Sequence, residues 1–224
     1  MKKVIILSLM LFTIIASAQT KVTNNVGDFN VVKVYNGIEV ELINSDEQKI
    51  EITGEKSEKV KFKNVNGTLK ISMTFPEVSA DGKAIVKVYF KNLDVIDSNE
   101  NATITGKNIK QDRLEVNAQE KAFINLTISV NYLKVRASSG GNIKLTGSAN
   151  TQEVDLDLYG IYSGFALQVS EETKAFAGTG AKAEINSGKK LSAKVNFGGS
   201  IFYKGNPEII EEGKVAGGII KKRN

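Results

Sequence analysis

An apolar–polar–apolar stretch restarts at nearly fixed intervals through the second half of this chain, and that period limits the folds open to it. The starts are Leu93-Asp94-Val95, Leu114-Glu115-Val116, Leu133-Lys134-Val135, Val154-Asp155-Leu156 and Leu191-Ser192-Ala193. They lie 21, 19, 21 and 37 residues apart, and the last gap holds a degenerate unit near Thr173. In most units a second short strand follows a polar turn, as in Ala102-Thr103-Ile104, Ala122-Phe123-Ile124, Ile143-Lys144-Leu145 and Ile201-Phe202-Tyr203. A unit of about 20 residues carrying two short strands cannot bury its own apolar face, so successive units must stack. The predicted fold is all-β: a right-handed parallel β-helix (β-solenoid), its hand following from the rule for parallel strand connections. Ala118, Ala137, Gly140, Gly141, Gly198 and Gly199 suit its crowded corners. Asn99, Asn117, Asn142 and Asn196 fall near those corners and are expected to stack as polar ladders. An antiparallel sandwich built from the same strands is the competing architecture.

Residues 27–91 carry a different signal. Period-2 alternation runs through Val31-Lys33-Tyr35, Ile38-Val40-Leu42, Ile50-Ile52, Val60-Phe62, Leu69-Ile71-Met73 and Ile85-Val88-Phe90. Turn signals stand between these runs at Asn36-Gly37, Asn44-Ser45-Asp46-Glu47, Asn66-Gly67 and Asp81-Gly82. Asn-Gly and Asp-Gly between alternating runs read as hairpins, so this portion is predicted to be antiparallel. Fifteen of the 20 glycines lie after residue 92, which supports a change of architecture there. The expected organisation is a leader at residues 1–18, an N-terminal β portion at 19–92, β-helix coils at 93–205 and a C-terminal cap or tail at 206–224.

The leader rests on Met1-Lys2-Lys3, the apolar run from Val4 to Ala16 and the small-residue cleavage pattern Ala16-Ser17-Ala18. Its 13-residue run spans about 20 Å as a helix, short of a bilayer core of roughly 30 Å. No later apolar run reaches the length of a membrane-crossing helix, so an exported protein without a membrane span after cleavage is expected, in the periplasm, on the outer surface or secreted. Loss of Lys2 and Lys3 with the leader lowers the formal net charge from +5 to +3.

Composition removes whole classes of chemistry. With no His there is no imidazole base and no His-ligated metal; with no Cys there is no disulfide and no thiolate. No catalytic set, cofactor or metal site is predicted. Asp155 and Asp157 alternate with apolar residues and share an outward face, a pattern open to acid/base work or Ca²⁺, but more simply a solvated strand face. Asp94, Asp97 and Glu100 form a second acidic stretch of the same kind. Arg113 and Arg136 stand near strand starts in adjacent coils and would be needed by a polysaccharide-processing β-helix. Lysines mixed with acids, as at Lys56, Lys59, Lys61 and Lys63, argue against nucleic acid and suit edge protection. Tyr159, Tyr162 and Phe165, set among Gly160 and Gly164, are the candidate ligand-binding residues, since exposed aromatic faces stack on sugar rings; an interior aromatic stack or a self-association patch is the ordinary alternative.

The strand Tyr35-Asn36-Gly37-Ile38-Glu39-Val40, the coil Ser138-Ser139-Gly140-Gly141-Asn142-Ile143-Lys144-Leu145-Thr146-Gly147 and the terminal Gly198-Gly199-Ser200-Ile201-Phe202-Tyr203-Lys204-Gly205-Asn206-Pro207 resemble the head GIN domain family, DUF2807, an exported, adhesin-type family common in Bacteroidetes. The resemblance implies a β-helical, non-enzymatic interaction module of the cell envelope whose partner is a protein or glycan at the cell surface, with a homo-oligomer compatible. A carbohydrate-binding or polysaccharide-processing β-helix protein is the alternative function. An auto-transporter also needs a translocating barrel, for which the 19 residues after Gly205 are too few, so a passenger-like domain standing alone is expected.

Overall fold

The computed structural model describes residues 22–74 and 84–224. The leader at 1–18 and the Asp81-Gly82 turn lie outside the described residues. Seventeen strands and one short 3-10 turn make up the described chain. From residue 95 the stack is regular. β8 (Val95–Ser98) lies on β9 (Thr103–Ala118), which lies on β10 (Phe123–Ala137), then β11 (Asn142–Leu156) and β12 (Ile161–Ala177), every pair parallel. The long strands then divide into two shorter series. β13 (Lys182–Asn186), β15 (Ser200–Lys204) and β17 (Ile219–Lys222) continue one face of the coil; β14 (Lys190–Val195) and β16 (Ile209–Lys214) continue the other. This is the predicted parallel β-solenoid.

Alternation fills its centre. One interior column runs Val40, Ile104, Ile124, Ile143, Tyr162, Ala183 and Ile201, all buried. Each fully buried Ile contributes about 1.5–3 kcal/mol of transfer free energy, and in-register stacking repeats that gain at every coil. Size is balanced within the column: Tyr162 sits beside Ala183, and its ring takes the space where a side chain at Gly164 would fall 2.5 Å from Cζ.

A second interior column exposes a register that the apolar pattern misplaces. Val154 pairs with Val135, and the partner of Leu133 is Gln152. Gln152 and, one coil on, Thr173 thus occupy positions held elsewhere by Leu114, Leu133 and Leu191. The first coil is likewise displaced by one: Ile96, not Val95, pairs with Val116.

Most coils turn their corner through two consecutive left-handed residues, among them Glu100-Asn101, Glu120-Lys121, Ser139-Gly140, Leu158-Tyr159 and Phe197-Gly198. The N–H after the pair closes the turn, as in Gly141 to the Ser138 carbonyl at 2.8 Å. Between coils these corners bond to one another: Asn101 N–H donates to Glu120 O at 3.0 Å, Lys121 to Ser139 at 3.1 Å and Gly140 to Leu158 at 3.0 Å. Gly160 is required at its corner because a Cβ there would lie 2.1 Å from the Ala137 carbonyl oxygen.

The N-terminal strands are antiparallel only at the outside. β5 (Val60–Val65) and β6 (Thr68–Met73) form the hairpin announced by Asn66-Gly67. β1 (Val22–Asn25) pairs antiparallel with β4 (Lys49–Thr53), which pairs antiparallel with β7 (Ile85–Phe90). β2 (Val31–Val34) and β3 (Glu39–Asn44), however, form a coil of the parallel stack. β2 lies between β6 and β8, and β3 between β7 and β9, all four contacts parallel. Asn36-Gly37, a hairpin signal, therefore makes a coil corner, and the 44–47 turn joins strands that β7 separates. At the far end, the described residues provide no strand beyond β16 and β17.

Of the four asparagines expected in ladders, Asn99 and Asn196 share the corner column but are separated by several coils, while Asn117 and Asn142 lie in other columns. The polar ladder that does form is elsewhere, at the opposite bend: Asn131 donates to Asp112 at 2.7 Å, Asn150 to Asn131 at 2.9 Å and Ser170 to Asn150 at 3.2 Å.

Candidate functional site: an aromatic corner ridge

The three aromatic candidates are not brought together. Tyr162 is fully buried, and its hydroxyl donates to Gln152 Oε1 at 3.2 Å; burial holds its phenol protonated far above the ordinary range. It faces the solenoid interior and offers nothing to a ligand from outside. Phe165 is half-buried on the face formed by the starts of the long strands, with Lys204 5.0 Å from its ring centre. Tyr159 stands on the corner, 67% exposed.

Around Tyr159 the corner gathers bulky apolar residues where the backbone disfavours them. Leu158, Tyr159 and Phe197 have φ of 45°, 64° and 43° and are 48%, 67% and 62% exposed. A left-handed backbone costs an ordinary L-residue roughly 1 kcal/mol; other corners carry polar or small residues there, as at Glu120-Lys121 and Ser139-Gly140, or the more tolerant Asn36-Gly37. The ring of Tyr159 lies against Gly180 of the next coil, where a Cβ would come within 2.6 Å of Cε1. Asp157 anchors the turn: its Oδ1 accepts from the N–H groups of Leu158 at 2.8 Å and Thr179 at 2.9 Å. The sequence marks Tyr159 but not Leu158 or Phe197, whose signal is position: each falls in the corner pair of its repeat.

The polar candidates are engaged in holding coils together. Asp94 accepts from Asn30 at 2.5 Å, Asp97 from Lys33 at 2.9 Å and Glu100 from Asn36, each partner 64 residues earlier. The hydrogen bond that Lys33 donates to Asp97 raises the Lys33 pKa and outweighs burial, which opposes the charge. Asp155 and Asp157 line one open groove with Lys33, Asp97, Glu115 and Arg136; Arg136 is held there by Glu115 at 2.9 Å. Arg113 lines a separate groove of about 590 Å³, its guanidinium 4.4 Å from the ring centre of Tyr132 and its Nε 3.6 Å from Asp112. The two arginines thus serve different surfaces. Among the described residues no group of three or more acidic side chains is placed to hold a metal ion, and no helix is long and apolar enough to cross a membrane. Lys61 and Lys63 lie exposed on β5, an edge strand, as edge protection requires; Lys56 is buried.

The described residues define the class by its fold: a parallel β-solenoid with an apolar corner ridge and a wall of charged and hydroxyl side chains. Within it, the chain belongs to the family described as "Putative auto-transporter adhesin, head GIN domain", whose model matches residues 28–207. Three crystal structures share the fold. A "putative adhesin" from Bacteroides fragilis superposes with a TM-score of 0.83 at 18% identity, over 93% of this chain and 98% of that one. Another from Parabacteroides merdae gives 0.71 at 19% identity, over 93% and 98%. A "putative lipid binding protein" from Parabacteroides distasonis gives 0.68 at 17% identity, over 92% and 97%. No curated protein matches the chain.

Proposed function

We propose that the chain is an exported, non-enzymatic recognition module of the cell envelope. It holds a macromolecular partner at the cell surface by non-covalent contact along the corner ridge of Leu158, Tyr159 and Phe197. The observation that carries this reading is that three large apolar side chains are kept in solvent on left-handed backbone. Exposure and backbone strain both act against stability there, and strain of this kind concentrates where a surface is used. Adhesin-type family membership and the leader pattern at residues 1–18 support export and a surface role. The polar candidates support no catalytic alternative, since Asp94, Asp97, Glu100, Asp157 and Arg136 are committed to structural hydrogen bonds and ion pairs. Binding of the fluorescently labelled mature protein to intact cells and envelope fractions tests the reading. Tyr159→Asn with Phe197→Asn should weaken binding at least tenfold while the melting temperature holds or rises. Wild-type binding by that variant would overturn it.

A further inference from the structure

The two ends of the solenoid are finished differently. At the N-terminal end an antiparallel strand lies on each outermost parallel strand: β5 on β6 and β4 on β7. At the other end, among the described residues, β16 pairs only with β14 and β17 only with β15, which leaves two strand edges open. Their side chains are also incompletely covered: Ile209, Ile210 and Ile219 are 54%, 48% and 50% exposed. Ile210 stands in the interior column above Leu191, so the oily centre of the stack opens to water there.

We propose that a second copy of this chain closes the open end, joining head to head about a two-fold axis so that β16 of each copy pairs antiparallel with β17 of the other. Charge selects that pairing. β16 carries Glu211 and Glu212, while β17 and its end carry Lys221, Lys222 and Arg223. With Glu212 opposite the partner's Lys222, inward residues meet inward ones and acids meet bases. The other two-fold arrangement, β16 on β16 and β17 on β17, would lay the acidic strand on its own copy and the basic strand on its own copy. The partner thus supplies the antiparallel closure that β4 and β5 supply at the N-terminal end. Inward charges such as Glu212 and Lys214, 3.4 Å apart, otherwise discourage random edge pairing. The dimer is closed: its interface uses both open ends and leaves two capped ones, so it does not grow into a fibre.

The mass of the mature protein in solution, by light scattering across a concentration series, should be that of a dimer. Glu212→Lys should raise the dimer dissociation constant at least tenfold, with only a small fall in the melting temperature of the monomer from loss of the exposed Glu212–Lys214 pair. The double variant Glu212→Lys, Lys222→Glu should restore it, because the same pair is then formed with its signs exchanged. Zero-length carbodiimide coupling should join Glu212 of one copy to Lys222 of the other. A monomer at every concentration, a dimer indifferent to Glu212→Lys, failure of the double variant to restore the dimer, or coupling of Glu212 to the other copy's Lys214 would each overturn the proposal.

Discussion

Tyr162 donates its phenolic hydrogen to Gln152 Oε1 at 3.2 Å inside the solenoid, and Gln152 Nε2 in turn donates to Thr173 Oγ1 at 3.0 Å and to the Asn186 carbonyl at 2.9 Å. Three coils are tied through a polar cluster within an otherwise apolar interior. Tyr162→Phe leaves Gln152 Oε1 buried without its donor and should cost about 1–3 kcal/mol in denaturant unfolding. Gln152→Leu should cost at least as much. The double variant should be less destabilised than the two losses combined, with a coupling of about 0.5–3 kcal/mol.

Gly164→Ala should destabilise by about 1–3 kcal/mol, because the added methyl meets the Tyr162 ring at 2.5 Å. In a Tyr162→Leu background the same substitution should cost much less. Thermal melts of the four proteins read this directly.

Leu158→Asn and Phe197→Asn should each stabilise the fold by roughly 1 kcal/mol, since asparagine tolerates the left-handed backbone that both positions adopt. Asp157→Ala should do the reverse and cost about 1 kcal/mol by leaving the Leu158 and Thr179 amides without their acceptor. Equilibrium unfolding in urea separates the two outcomes.

Alkali should weaken the fold from about pH 10 upward. Lys33 has a raised pKa in the folded state, so its contribution is complete below its ordinary value of 10.5 and fades as pH rises through the folded value. Tyr162, held protonated by burial, acts in the same direction, because the unfolded chain ionises its phenol first. Lys33→Met should flatten the part of the pH dependence due to Lys33. The tyrosinate absorbance of Tyr162 should appear only with global unfolding.

The period of about 20 residues and the alternation within it were enough to read the parallel stack from the sequence, because every regular coil repeats the same inward positions. Register failed where polarity entered the core: with Gln152 and Thr173 in the interior column, the next apolar residue, Val154, looks like the start of the unit although it lies two positions inside it. The burial of Tyr162 was legible, since it falls 19 residues after Ile143 in the same inward phase; its neighbouring glycines drew attention to exposure instead. The N-terminal portion is legible only in part because hairpin signals are local, whereas the parallel neighbours of Val31–Val34 lie 37 and 64 residues away and leave no local mark. Leu158 and Phe197 carry no compositional signal at all, and only the corner geometry singles them out.

The coil made of β2 and β3 lies between a coil completed at Phe90 and another that begins at Val95. A chain made N-terminus first therefore presents this coil before either of its neighbours exists. Loops of this length close slowly relative to the one-after-another zipping of the coils that follow. Nucleation should thus be the slow event and elongation the fast one, with the earliest-made segment among the last to become fully protected from hydrogen exchange.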